Sequence, residues 1–247
     1  MQVSPKVKLI RYTADPEATV ALAAKLCYSD REVDDLTDNI MSGDNGAFIA
    51  RLMEMGHHSP TEHASFTFSI EGVSRALLAQ ITRHRIASFS VRSQRYVSED
   101  SFNYVIPPAI EELGAAAVAR YVGQMDTIMD WYRDWQSALG RGESSNEDAR
   151  FILPNACETK MIVTMNAREL MHFFELRCCN RAQWEIRSVA WKMLEEVVKI
   201  APNLFRDCGP ACLNGACPEG KKSCGKASEV KATRDKLFAA VKSDKAK

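Results

Sequence analysis

The stretch Arg83-His84-Arg85-Ile86-Ala87-Ser88-Phe89-Ser90-Val91-Arg92-Ser93-Gln94-Arg95-Tyr96 carries four arginines, one histidine and three serines, and no acidic residue. Guanidinium groups donate in a planar fork that matches phosphate oxygens and carbonyl edges. A cluster of them without carboxylates suits an anion such as a phosphate, or an electron-rich ring. A solvated basic loop is the alternative reading of the same composition. Upstream, residues 73–82 (Val-Ser-Arg-Ala-Leu-Leu-Ala-Gln-Ile-Thr) read as an amphipathic helix running straight into Arg83. That places the basic cluster at the end of a packed element.

The whole chain has 247 residues, enough for one large domain or two small ones with a sizeable core. Its 32 basic and 32 acidic residues give zero formal net charge. Bulk electrostatic grip on nucleic acid would require a basic surplus, so the local positive charge favours a small anionic ligand. No apolar run approaches the ~20 residues that span a bilayer, and the first residues lack the apolar core of a secretion signal. The expectation is a cytoplasmic protein, with no membrane and no nucleic-acid partner, whose eight cysteines are thiols or metal ligands.

Working outward, residues 7–12 read as a strand. Asp15 and Pro16 open a helix that runs to about Leu26, with Asp15 as its cap. A polar segment leads to a second helix over 47–55, stopped by Gly56. The turn Gly56-His57-His58-Ser59-Pro60-Thr61-Glu62-His63 then holds three of the five histidines. It could bind metal, anchor the following strand, or deliver His57 and Ser59 to the basic cluster. The strand at 64–72 alternates Phe66, Phe68 and Ile70 with Ser65, Thr67 and Ser69.

Past Pro107-Pro108, a long helix is expected over 109–139. Trp131, Tyr132 and Trp135 sit on it at core or interface spacing. A strand follows at 160–165. Asn166 then caps a helix reaching about Cys179, with Glu169 completing a capping box. Arg168, His172 and Glu175 share one face of it. The last core helix is expected over 181–200. Residues 226–247 read as a marginal helix or a frayed end. Before them Cys208, Cys212, Cys217 and Cys224 raise a four-thiolate metal site, although the paired C-x-x-C knuckle is lacking.

The chain resembles the flavin-dependent thymidylate synthases, the ThyX family. Their signature, Arg-His-Arg, seven residues, then Ser, stands here as Arg83-His84-Arg85 and Ser93, followed by Arg95-Tyr96. The histidine turn, Arg150-Phe151-Ile152-Leu153-Pro154, Asn166-Ala167-Arg168, and the run from Arg177 through Gln183-Trp184-Glu185 also match, in order, over residues 7–200. The resemblance implies an α+β fold with a mixed or antiparallel sheet packed with long helices. It implies a domain at 1–205, with 206–247 as a Cys- and Lys-rich tail, and a homotetramer with shared active sites. The implied reaction converts dUMP to dTMP with methylenetetrahydrofolate as carbon donor, FAD as cofactor and NADPH as reductant.

By the same resemblance, Ser59, Arg83, His84, Arg85, Val91, Asn166, Ala167, Arg168 and His172 contact FAD. Gln80, Ile81, Thr82, Arg83, Val91, Arg92, Ser93, Gln94, Arg95, Arg150 and Arg177 hold dUMP. Arg177 and His57 are the catalytic candidates, Arg177 by polarising the N3 edge of uracil. Many members carry Asn-Glu where this chain has Ser90-Val91. Arg181 stands where some carry His, and His172 where some carry Asn. Alternatives of other kinds are methylation of UMP or another pyrimidine nucleotide, an Arg-rich nucleic-acid-binding module, and a metal-dependent protein built around the tail.

Overall fold

The structure is a computed structural model that describes residues 1–245. In chain order its elements are β1 (Lys6–Tyr12), α1 (Pro16–Leu26), α2 (Val33–Met41), α3 (Gly46–Glu54), β2 (Ser65–Ser74), α4 (Arg75–Ile81) and β3 (Ala87–Val91). There follow α5 (Pro108–Glu111), α6 (Ala115–Ala138), α7 (Glu143–Ala149), β4 (Glu158–Asn166), α8 (Ala167–Arg177), α9 (Trp184–Ile200) and α10 (Ala227–Lys245). The fold is α+β, as expected, with one four-stranded sheet in the order β1-β2-β4-β3. Among the described residues no helix is long and apolar enough to cross a membrane.

Two compact units share the chain. One comprises Met1–Lys6, Ser69–Arg83 and Phe89–Ile162; the other comprises Val7–Phe68, His84–Ser88 and the chain from Val163 onward.

In the first unit the core gathers Phe102, Tyr104, Ile106, Met125 and Cys157, with Val118, Tyr121 and Val122 of α6 packed against them. Two of the tyrosines there find partners, as burial favours: the Tyr121 hydroxyl donates to Val105 O at 3.2 Å, and the fully buried Tyr132 accepts from Glu99 N. Gly72 has φ of +70°, and a Cβ there would stand 2.2 Å from Ser4 O, so the close passage of these backbones admits glycine alone.

The second unit packs Phe66 of β2 edge-on to Phe205, and Phe205 edge-on to Phe174 of α8; Val189, Met193 and Val197 of α9 are fully buried. Glu17 of α1 accepts hydrogen bonds from Asn203 N, Asn203 Nδ2 and Leu204 N at 2.7–3.1 Å, tying the first helix to the turn after α9. Thr13 N donates to Ser65 O at 2.9 Å, so the end of β1 meets the start of β2 and the pair is antiparallel.

Several local readings change. Strand β2 runs on to Ser74, and α4 starts at Arg75, because the Ser74 hydroxyl caps it by accepting from Leu77 N at 3.1 Å. Asp15 is not a side-chain cap: it adopts φ 44° and makes no cap hydrogen bond. The polar segment after α1 contains α2, and residues 87–91 of the basic stretch are a strand. The last core helix starts at Trp184, where the Gln183 side chain accepts from Glu185 N and Ile186 N.

Candidate active site

In the second unit, helix α8 builds a clamp around one histidine. Asn166 Oδ1 accepts from Glu169 N at 2.9 Å, which starts the helix and fixes its register. Residues four apart then line one face, so Glu169, Phe173 and Arg177 stand in a row. His84 sits against that row with its ring almost wholly buried. Its Nδ1 lies 3.1 Å from Glu169 Oε1, and its Nε2 lies 3.1 Å from Arg177 Nε, which donates to it. Phe173 meets the ring edge-on at 4.9 Å. Burial pushes the His84 pKa down and the positive Arg177 lowers it further, against the hydrogen bond to Glu169, which raises it. Because Arg177 Nε donates to Nε2, that nitrogen is an acceptor and the ring proton sits on Nδ1, facing the carboxylate. The capping-box reading of Glu169 is corrected: its N–H takes the cap, but its carboxylate goes to His84.

The next face of α8 presents Arg168, His172 and Glu175 together, as their spacing predicts. They line a cavity of about 680 Å³ with His58, Met171, Asn203 and Cys208. His58 Nδ1 is buried there without a hydrogen-bond partner. Arg168 is paired with Glu62 of the histidine turn. Ser59 is exposed at the start of that turn, a 3-10 helix over Ser59–His63. His57 faces elsewhere, into a second cavity of about 860 Å³ lined by Tyr28, Phe48 and Leu52, with its ring edge-on to Tyr28. Ala167 is fully buried and its N–H is committed to Ala64 O at 2.8 Å. Arg85 is exposed, with no ion pair among the described residues.

The first unit carries all the residues expected to hold dUMP except Arg177. Gln80 and Ile81 close α4, Thr82 is its C-terminal cap, and Arg83 follows, exposed. Arg92 Nη2 lies 2.7 and 2.9 Å from the two oxygens of the buried Glu99 and donates also to Glu158 O. Burial raises the Glu99 pKa, against the attraction of Arg92. Ser93 Oγ accepts from Arg95 N and Tyr96 N, making a turn of Ser93–Tyr96. Arg95 reaches Glu143 at 3.1 Å and Glu147 at 2.9 Å, and Arg150 Nε donates to Glu147 O. Gln94 approaches Cys157 Sγ at 3.6 Å, and Val91 is half-buried at the end of β3. Acids absent from the stretch 83–96 thus arrive from α7 and from Glu99. Those partners were not legible in the local sequence. Burial pushes the Cys157 thiol up to about 12, which disfavours its thiolate at neutral pH.

A family model described as thymidylate synthase complementing protein matches residues 8–203. The chain belongs to that family. Among curated relatives, it is 54% identical over 230 residues to the flavin-dependent thymidylate synthase of Geobacter sulfurreducens, covering 92% of this chain and 96% of the relative. The protein of that name from Clostridium tetani is 50% identical, over 92% and 95% of the two chains. That from Pyrococcus furiosus is 44% identical, over 87% and 89%.

The cysteine tail lies beyond the family match. The fold gathers Cys212, Cys217 and Cys224 not with Cys208 but with Cys179 at the end of α8, around a cavity of about 20 Å³. Cys208 is buried beside Cys178 and lines the cavity of about 680 Å³. Among the described residues no group of three or more His, Cys, Asp or Glu is placed to hold a metal ion. Arg181 is engaged by the tail, donating to Lys222 O at 2.6 Å and pairing with Glu219.

Proposed function

We propose that the chain is a flavin-dependent thymidylate synthase, converting dUMP to dTMP with methylenetetrahydrofolate as carbon donor, FAD as cofactor and NADPH as reductant. The single observation that carries this is the 54% identity to a relative of that name along nearly the full length of both chains. Residues 1–205 are the catalytic domain in this reading, and 206–247 an appended tail.

The donor set fits a flavin dinucleotide. An unpartnered buried imidazole nitrogen of His58, the Arg168 guanidinium and the His172 ring surround a cavity in the size range of ligand sites. Ser59, Arg83, His84, Arg85, Val91, Asn166 and Ala167 complete the proposed FAD set. Bound FAD supplies the hydride chemistry.

The protein's own groups bind and polarise. Arg83 and the turn at Ser93–Arg95, with Gln80, Arg92 and Arg150, bind the nucleotide phosphate and sugar. Arg177 donates to the N3 and carbonyl edge of uracil, holding the negative charge that develops as C5 becomes nucleophilic. His57 is the second catalytic candidate. The working form is a cytoplasmic homotetramer with shared sites. The half-exposed Trp131 and Trp135 on one face of α6, and the largely exposed Phe151, support such interfaces.

The test is formation of dTMP from dUMP by purified protein supplied with FAD, NADPH and methylenetetrahydrofolate, with UMP as the control. Product dependent on both flavin and folate supports the reading. Flavin binding without dTMP, under conditions where a relative turns over, would overturn it.

A further inference from the structure

Resting on the reading of Arg177 as the residue that polarises uracil, we infer that Glu169 is a positioning residue that fixes the orientation of the Arg177 guanidinium through His84. The contacts form an unbroken chain: Glu169 Oε1 to His84 Nδ1 at 3.1 Å, then His84 Nε2 to Arg177 Nε at 3.1 Å. An ionised carboxylate accepts and never donates, so the shared proton belongs to Nδ1. In a neutral imidazole the other nitrogen is then a bare acceptor, the one arrangement that can receive the Nε–H of Arg177.

Without the carboxylate acceptor, the imidazole proton is free to move to Nε2. Donor would then face donor, and the guanidinium would turn about its side-chain torsions. Phe173 against the ring, and the near-complete burial of both His84 and Glu169, restrict reorientation of the ring. The other titratable group facing the ring is His172, at 6.0 Å between centroids. One helix, through residues four apart, thereby supplies the acceptor, the wall and the cation. The alignment matters because Arg177 must meet a planar ring edge, and a misplacement of about 1 Å in such a contact costs up to ~100-fold.

Two conservative variants separate reach from charge. Glu169→Gln keeps an acceptor oxygen at the same reach and removes the charge. Glu169→Asp keeps the charge and withdraws the acceptor by one methylene. Each is loaded with FAD and titrated with dUMP, read by the change in flavin absorption, with FAD content and melting temperature measured alongside. We expect Glu169→Gln to bind dUMP within about threefold of wild type, and Glu169→Asp to bind it about tenfold or more weakly, with FAD content unchanged. Wild-type binding in Glu169→Asp, or equal loss in both variants, would overturn the assignment. The tautomer is also read without substrate, from the side-chain ¹⁵N shifts of His84 in the wild-type protein. A protonated Nε2 there would overturn the proposal whatever the substrate proves to be. A wild-type flavin spectrum blind to dUMP, with Nε2 unprotonated, would count instead against the thymidylate reading.

Discussion

Arg92 meets Glu99 through a single nitrogen, Nη2, which lies 2.7 and 2.9 Å from the two carboxylate oxygens, while Arg92 Nε is buried without a partner. The pair illustrates how the basic stretch is tempered. Arg92 and Arg95 meet carboxylates brought by other parts of the chain, whereas Arg83 and Arg85 are exposed.

Glu99 yields a pH prediction. Burial raises its folded pKa above the unfolded value, so the folded state holds the proton more tightly. Its contribution to stability is therefore present below the unfolded pKa and is lost as pH rises through the folded pKa. Glu99→Gln removes that dependence. Its melting temperature relative to wild type should rise between pH 4 and pH 7; a difference that falls over this range contradicts the account.

Arg177→Ala should lower turnover of dUMP by about 100- to 1,000-fold while leaving the melting temperature within a few degrees. Arg177→Lys should fail nearly as badly, because an ammonium offers neither the fork nor a guanidinium Nε to His84. Single-turnover kinetics on FAD-loaded protein measure both.

Gly72→Ala should destabilise the fold by about 3 kcal/mol, combining left-handed backbone strain with a clash. The added Cβ would meet Ser4 O, a backbone atom that cannot rotate aside. Urea denaturation with an unchanged slope checks it.

Thiol labelling at neutral pH should separate the cysteines by burial. Cys27 and Cys224 are exposed and should react first. Cys157, Cys178 and Cys208 should resist, because burial raises each of their pKa values. Alkylation confined to Cys27 and Cys224 should leave turnover unchanged. Peptide mass mapping beside the assay decides it.

The sequence displays what is local. The alternation of Phe66, Phe68 and Ile70 marks β2, and the cap at Asn166 marks the start of α8, since both depend on neighbours in the chain. Strand β3 escapes notice because Ala87-Ser88-Phe89-Ser90-Val91 alternates weakly inside a stretch dominated by charge. Helix α2 escapes because it buries just Leu36 and Ile40 among acids.

At the site, the shared face of Arg168, His172 and Glu175 follows from helical spacing. The carboxylate of Glu169 had two partners open to it: a backbone N–H three residues away, and His84, 85 positions distant. The choice is made by packing, which no local pattern carries. The same holds for Cys179, which the fold sets among tail cysteines more than thirty positions away.

The most direct measurement is the visible absorption spectrum of the FAD-loaded protein before and after dUMP, with UMP as control. The account, in which the nucleotide and the flavin are proposed to share a site, predicts a flavin spectrum perturbed by dUMP and far less by UMP. A spectrum indifferent to dUMP at saturating concentration, or a protein that retains no FAD, would contradict it.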